Sequence, residues 1–227
     1  MTTKSDFAYG RLREMIMTGD VAPREVLNQA ELARVIGIST TPLREALRRL
    51  KAEGLVELDA HRDARVTALT AEEARDLLEI RASLDPLAVA LAAERRSAAD
   101  IGEMRDAIRG LRPLPDRPVF ADLVAHRRFH TAIYTASRNE ILIGTLDGLW
   151  DKADRYRRLA LSEVRDQAER ERTTIEHDAL LNCVINRDAA GAAEVMRHHI
   201  GTSLGAKAAE RLHAGLASAT RNPERLS

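Results

Sequence analysis

Four of the seven histidines in this 227-residue chain sit where side chains of that type could do chemistry. His126 and His130 are four residues apart, so a helix projects both imidazoles from one face, and that face continues through Leu123 and Ile133. His177 shares a helical stripe with Leu180, Leu181 and Val184, and His199 shares one with Val195 and Met196. Stripes of this kind face the interior of a helical bundle, where an imidazole needs partners for its ring nitrogens. One solution is a hydrogen bond to backbone or side chain at each position, as in an ordinary core histidine. The other is a divalent metal, because neutral imidazole is a good ligand for zinc, nickel, cobalt, copper and iron, and an i, i+4 pair on a helix can hold one ion. His198 faces about 100° away from His199 around a helix, and His61 and His213 also fall outside the set.

The elements that must position these side chains are helices. Beyond Ala68 the β-branched alternation stops and alanine, leucine, arginine and glutamate dominate, so residues 69–227 read as one all-α bundle domain. Thr70-Ala71-Glu72-Glu73 has capping-box spacing and opens a helix through Leu77, Leu78, Ile80 and Leu84, with Pro86 expected to kink it or to start a new segment. Ser97 to Arg109 forms the next helix, and the proline-rich run Arg112 to Pro118 is the clearest loop. Further helices are expected over 119–137, 140–158, 162–186 and 188–214, with a frayed end from Arg221.

Residues 1–68 carry a different grammar. Ser5 to Thr18 is amphipathic through Phe7, Leu12, Met15 and Ile16. Asn28 can cap a short helix from Gln29 to Ile36, Gly37 supplies a tight break, and Ser39 or Thr40 can cap a second helix with Pro42 in its first turn. On that second helix Leu43, Leu47 and Leu50 bury one stripe, while Arg44 and Arg48 lie four apart on another. Glu53-Gly54 closes it, and Leu55 to Leu58 and Arg65 to Ala68 read as two short strands around the polar turn Asp59 to Ala64, whose His61 and Arg62 suit a wing tip touching phosphate or the minor groove. This is a winged helix-turn-helix, in which the second helix enters the major groove. The fold class is mainly α, with this N-terminal DNA-binding domain followed by an all-α helical-bundle effector domain.

Composition narrows the partners. Lysine and arginine total 35 and so do aspartate and glutamate, so no global positive field attracts nucleic acid and any DNA contact is local, as suits a homodimer that adds two small patches. A single cysteine, Cys183, excludes an internal disulfide and fits a reducing compartment. No run approaches the roughly 18 apolar residues that span a bilayer, and early charges argue against a signal peptide, so a cytoplasmic protein with no membrane partner is expected.

Leu27-Asn28-Gln29, Leu32-Ala33, Gly37-Ile38-Ser39, Thr41-Pro42-Leu43-Arg44-Glu45-Ala46-Leu47 and Glu53-Gly54-Leu55-Val56 resemble the DNA-binding domain of GntR-type transcription regulators. DNA contact is expected at Gln29, Ser39, Thr40, Thr41, Arg44, Arg48, His61 and Arg62. Thr40 stands where many members carry a base-reading arginine, and Asp63 stands where the wing usually has glycine. Phe129-His130, Ser137-Arg138-Asn139, Glu176-His177 and Met196-Arg197-His198-His199 resemble the helical FCD effector domain of the FadR subgroup, over about residues 70–212. Members commonly hold a metal with an aspartate and three histidines. His130, His177 and His199 fall at the three histidine places, and His126 occupies the place of the aspartate. Asp122, one turn earlier, is a further ligand or an outer acceptor that fixes an imidazole tautomer. Fewer carboxylates favour zinc or nickel, with manganese also considered, over hard oxygen-seeking ions. The resemblance also places an arginine at Arg81, as an anchor for an acidic metabolite or in an ion pair with Asp85 or Glu79.

These readings imply a ligand-responsive regulator, in the first instance a repressor, that binds a palindromic double-stranded operator as a homodimer and senses a small carboxylate through a bound divalent transition metal. Two alternatives compete: a metalloenzyme with a fused DNA-binding domain, and a regulator whose metal is purely structural. The inward stripes show no glutamate base beside the histidines of the kind an HExxH helix supplies, which disfavours the enzyme.

Overall fold

The structure is a computed structural model that describes residues 3–58, 63–161 and 167–221, with side chains up to residue 214. It divides into two compact units, residues 1–69 and 70–227.

In the first unit, α1 (Lys4–Thr18) is capped by Thr3 in a reciprocal box with Asp6 and ends at Gly19, whose φ of 73° requires the left-handed region that glycine enters at little cost. Helix α2 (Gln29–Ile36) starts as its sequence dictates: the Asn28 side chain accepts from the N–H groups of Ala30 and Glu31. Gly37, at φ 77°, turns the chain into α3 (Thr40–Ala52). Ser39 is the N-cap residue of α3 by backbone conformation, yet its side chain makes no capping bond. Leu12, Leu43, Leu47, Leu50 and Leu55 are fully buried and bind α1, α3 and the sheet into one core.

Three strands complete this unit: β1 (Val26–Asn28), β2 (Val56–Leu58) and β3 (Asp63–Val66), in the antiparallel order β1-β3-β2. The strand β1 was not expected, since three residues with only Leu27 turned inward carry too short a pattern to read. The third strand also begins earlier than the sequence suggested. Asp63 pairs with Asn28, and Ala64 lies opposite both Leu27 and Leu58, so Ala64 and Val66 point inward rather than Val66 and Ala68 alone defining the strand. Asp63 is thus a strand residue and not part of the turn. His61 and Arg62 lie outside the described residues.

The second unit is helical: α4 (Ala71–Arg95), α5 (Ala98–Arg109), α6 (Phe120–Ala136), α7 (Glu140–Ala160), α8 (Gln167–Ile185), α9 (Ala189–Gly201) and α10 (Leu204–Arg221). Its core gathers Val89, Met104, Phe129, Ile133, Trp150, Leu180, Val184 and Met196. Two expectations are corrected. Pro86 does not open a new segment; it is buried within one continuous 25-residue helix, despite the roughly 3 kcal/mol that an interior proline costs. The single helix expected over 188–214 is two, separated at Thr202-Ser203, with Ser203 Oγ accepting from the Ala206 N–H to start α10. That break carries Thr202 and Ser203 to the wall of the site described next.

Candidate metal centre and nucleic-acid interface

Helix α6 contributes His126 and His130, α8 contributes His177, and α9 contributes His199. All four imidazoles are buried, and one ring nitrogen from each lies within 4.8 Å of the others. Ring centroids are 4.9 Å apart for His126 and His130, 5.2 Å for His130 and His177, and 4.8 Å for His177 and His199. Trp150 of α7 closes one side, with its ring 5.8 Å from His126 and 5.4 Å from His130.

Hydrogen bonding around the rings determines what their inner nitrogens can do. His199 Nδ1 meets Glu176 Oε2 at 2.8 Å; with that nitrogen donating, Nε2 is a lone pair turned inward. His130 Nδ1 lies 3.5 Å from the Tyr134 hydroxyl, which itself donates to Asp85 at 3.1 Å, so a proton on Nδ1 again leaves Nε2 as the inner lone pair. His126 Nδ1, His130 Nε2 and His177 Nε2 are buried and have no hydrogen-bond partner. A buried polar atom left unsatisfied costs about 1–3 kcal/mol, and three in one place is what an ordinary set of core histidines avoids. The donor set fits a borderline transition ion: at zinc–nitrogen lengths of about 2.0–2.1 Å, four imidazoles need close by only a fraction of an ångström each.

Electrostatics agree. Burial first, and then the neighbouring cations Arg157 and the other imidazoles, hold His126, His130 and His177 well below the usual histidine range, so these rings are neutral and metal-ready at pH 7. Burial alone would raise the Glu176 carboxyl, but its bond to His199 keeps it below the usual range and therefore ionised.

A cavity of about 40 Å³ opens beside the cluster, lined by His126, His177 and His199 together with Arg112, Arg157, Thr173, Thr202 and Ser203. Sequence reasoning offered two further residues for this site; the structure puts Asp122 elsewhere and gives Arg81 the second of its two readings, the ion pair with Asp85. Asp122 sits in the first turn of α6 with its carboxylate accepting from the Val119 N–H at 2.9 Å, because a helix start draws an acid at that position to its free donors. It is not among the residues that come together. Arg81 is buried in an ion pair with Asp85 at 2.6 Å and does not line the cavity. Conversely, Arg157 and Glu176 were missed. Each is a charged residue on a helix, the pattern of a solvated face, and only the fold shows that each is turned inward.

On the other unit, α3 presents Arg44 and Arg48 to solvent with no ion pair among the described residues, and Ser39, Thr40 and Thr41 are exposed at its start. Arg49, their neighbour, is committed inside the unit: it pairs with Asp6 at 2.8 Å and lies 3.9 Å over the Tyr9 ring. Gln29 is half-buried at the start of α2.

Residues 4–66 match the model of bacterial regulatory proteins of the gntR family, and residues 76–202 match that of the FCD domain. The chain is 30% identical over 210 residues to the HTH-type transcriptional repressor GlaR of Escherichia coli, covering 90% of this chain and 96% of that protein. It is 28% identical over 186 residues to a probable D-xylose utilization operon transcriptional repressor of Paenarthrobacter nicotinovorans, covering 80% of this chain and 79% of that one. The solved structure of E. coli McbR/YncC has the same fold, with a TM-score of 0.73 at 22% identity over 96% of this chain and 99% of its own. With a helix-turn-helix that exposes unpaired arginines and a bundle that buries a histidine cluster, the chain belongs to the GntR family and is a DNA-binding transcription regulator of the GntR/FCD type.

Proposed function

We propose that the chain is a metal-dependent repressor: one divalent transition ion per subunit, zinc or nickel in preference to manganese, held by His126, His130, His177 and His199, senses a small carboxylate metabolite and thereby controls the grip on an operator. The observation that carries this reading is the set of inward imidazole nitrogens without partners, adjoining a cavity. A bound ion supplies a Lewis-acidic position for a carboxylate oxygen. The chain's residues supply the rest. Glu176 and the Tyr134–Asp85 pair orient His199 and His130, and burial excludes protons from the rings. The cavity distinguishes this from a purely structural site, which would be closed. The Glu176 carboxylate is committed to His199 and is not poised as a general base, which favours a sensor over a metalloenzyme.

DNA is read by α3 in the major groove, with Arg44 and Arg48 reaching base edges or phosphate, Ser39, Thr40, Thr41 and Gln29 at the approach, and His61 and Arg62 at the wing. Because the chain carries no net charge, two such patches on a homodimer are needed to hold a palindromic operator, in the cytoplasm where the DNA lies. Arg44→Ala is expected to weaken operator binding by about 1–3 kcal/mol with the circular-dichroism spectrum unchanged. Fluorescence anisotropy at fixed salt measures it, and unaltered affinity would remove α3 from the reading surface. The sensing half is tested by operator release: a panel of short carboxylic acids should include one that releases operator from metal-loaded protein and leaves the chelated protein unaffected. Release that is independent of metal would refute it.

A further inference from the structure

We propose that Arg157 receives the carboxylate of the effector beside the histidine cluster, and that Arg81 braces the cluster from behind without touching the ligand. The proposal rests on the reading that the four imidazoles hold a divalent ion. Arg157 belongs to the last turn of α7, and its guanidinium lies 4.5 Å over the ring of Trp150, the same ring that packs edgewise on His126. It is 4% exposed and lines the cavity with His126, His177 and His199. Nη1 donates to Asp154 at 2.6 Å, and that is its one hydrogen bond to a described residue. A guanidinium has five N–H donors in one plane, so an ionised oxygen pair arriving from the cavity finds donors still available in fork geometry.

Arg81 is also buried, also donates to one aspartate and also lies over the Trp150 ring, at 5.2 Å, but it does not line the cavity. Asp85 takes its Nη2 at 2.6 Å, and Tyr134 links the same carboxylate oxygen to His130. This chain of contacts ends on a ligating ring, so removing it would disturb how His130 is aimed, not what lies in the cavity. Charge balance points the same way. Among the charged groups at the cavity and cluster, Glu169 is matched by Lys207 at 2.6 Å, Arg81 by Asp85 and Arg157 by Asp154, and Glu176 offsets one of the two charges a divalent ion brings. Positive charge therefore remains, with Arg112 at the cavity's edge adding to it, and an anionic carboxylate offsets part of it. The cavity, about 40 Å³ at roughly 10–15 Å³ per water position, has room for about three such positions, which is the size of a carboxylate with an atom or two attached. The remainder of a longer acid lies towards the exposed Arg112 at the cavity's edge.

The test uses full-length protein loaded with cobalt(II), whose visible bands report on the ion's ligands, and acetate as the probe. In the wild type, acetate should shift the bands saturably. Arg157→Lys keeps the charge and loses the fork, and should weaken acetate about tenfold or more, the loss of one charge-assisted hydrogen bond, while cobalt affinity stays within about threefold. The double variant Arg157→Met with Asp154→Asn removes both partners so that no bare charge is buried, and should do the same. Arg81→Met with Asp85→Asn should show the opposite split: weaker cobalt binding, and acetate affinity of the loaded protein within about threefold of wild type. A purely structural Arg157 would move cobalt and acetate affinities together. Wild-type acetate affinity in the cobalt-loaded Arg157 variants overturns the proposal, as does acetate that leaves the wild-type bands unshifted. If the double variant fails to fold, Arg157→Lys decides. Cobalt that gives no ligand-field bands with the wild type overturns the metal reading itself, and the carboxylate site falls with it.

Discussion

His177→Ala should abolish metal uptake and the response to carboxylate while operator affinity stays within about 0.5 kcal/mol of wild type, as expected for sites in different compact units. His177 is the ring on which the cluster closes: it touches His126, His130 and His199, and its Nε2 has no other partner. Loss of an outer hydrogen-bond partner of a ligand typically weakens metal binding about 10–100-fold, so loss of the ligand itself should exceed 100-fold. The alanine also removes an unsatisfied buried nitrogen, which offsets part of the cavity it creates, and the variant remains foldable. Competition with a chromophoric chelator measures the first half, and anisotropy with labelled operator the second. Undiminished metal affinity in the variant would exclude His177 as a ligand.

The chelated protein should lose stability steeply below about pH 6.5. Burial lowers the folded-state values of His126, His130 and His177, whereas in the unfolded chain each titrates near the ordinary histidine value of 6.5. Below that value the unfolded chain binds protons that the folded chain does not, so stability is fully present above it and is lost as pH falls, until the lowered folded values are reached. With three such groups the slope approaches about 4 kcal/mol per pH unit, at about 1.4 kcal/mol per unit for each proton. Urea unfolding in the presence of chelator at pH 7.5, 6.5 and 5.5 checks this. A stability that is level over that range would mean that the imidazoles are solvated or already protonated in the folded state.

How far the chain could be read in advance follows from the physics of each feature. The helix-turn-helix was legible because its punctuation is local: Asn28 caps α2 from within three residues, and Gly37 supplies a left-handed turn that few other residues adopt. The four histidines were legible because each lies on an apolar stripe, and the i, i+4 spacing of His126 and His130 sets their common face before any tertiary contact is known. Features set by distant partners were not. Glu176 orients a ring 23 positions away, Arg157 is buried by Trp150 and Asp154, and the Arg81–Asp85–Tyr134 chain spans two helices. Asp122 shows the converse error, since an acid one turn before His126 served its own helix terminus instead of the cluster. The Thr202-Ser203 break was passed over although it carries a local signal, since Ser203 Oγ accepts from the Ala206 N–H three residues on, as a helix cap does.

The most direct measurement is the metal stoichiometry of the purified wild-type protein, by elemental analysis as isolated and again after chelation and titration with zinc or nickel. One ion per chain, removed by chelator and restored on titration, is the result predicted for His126, His130, His177 and His199 acting as a single site. Failure to take up zinc, nickel or manganese after chelation would contradict it, and would mean that the four buried imidazoles serve the bundle without an ion.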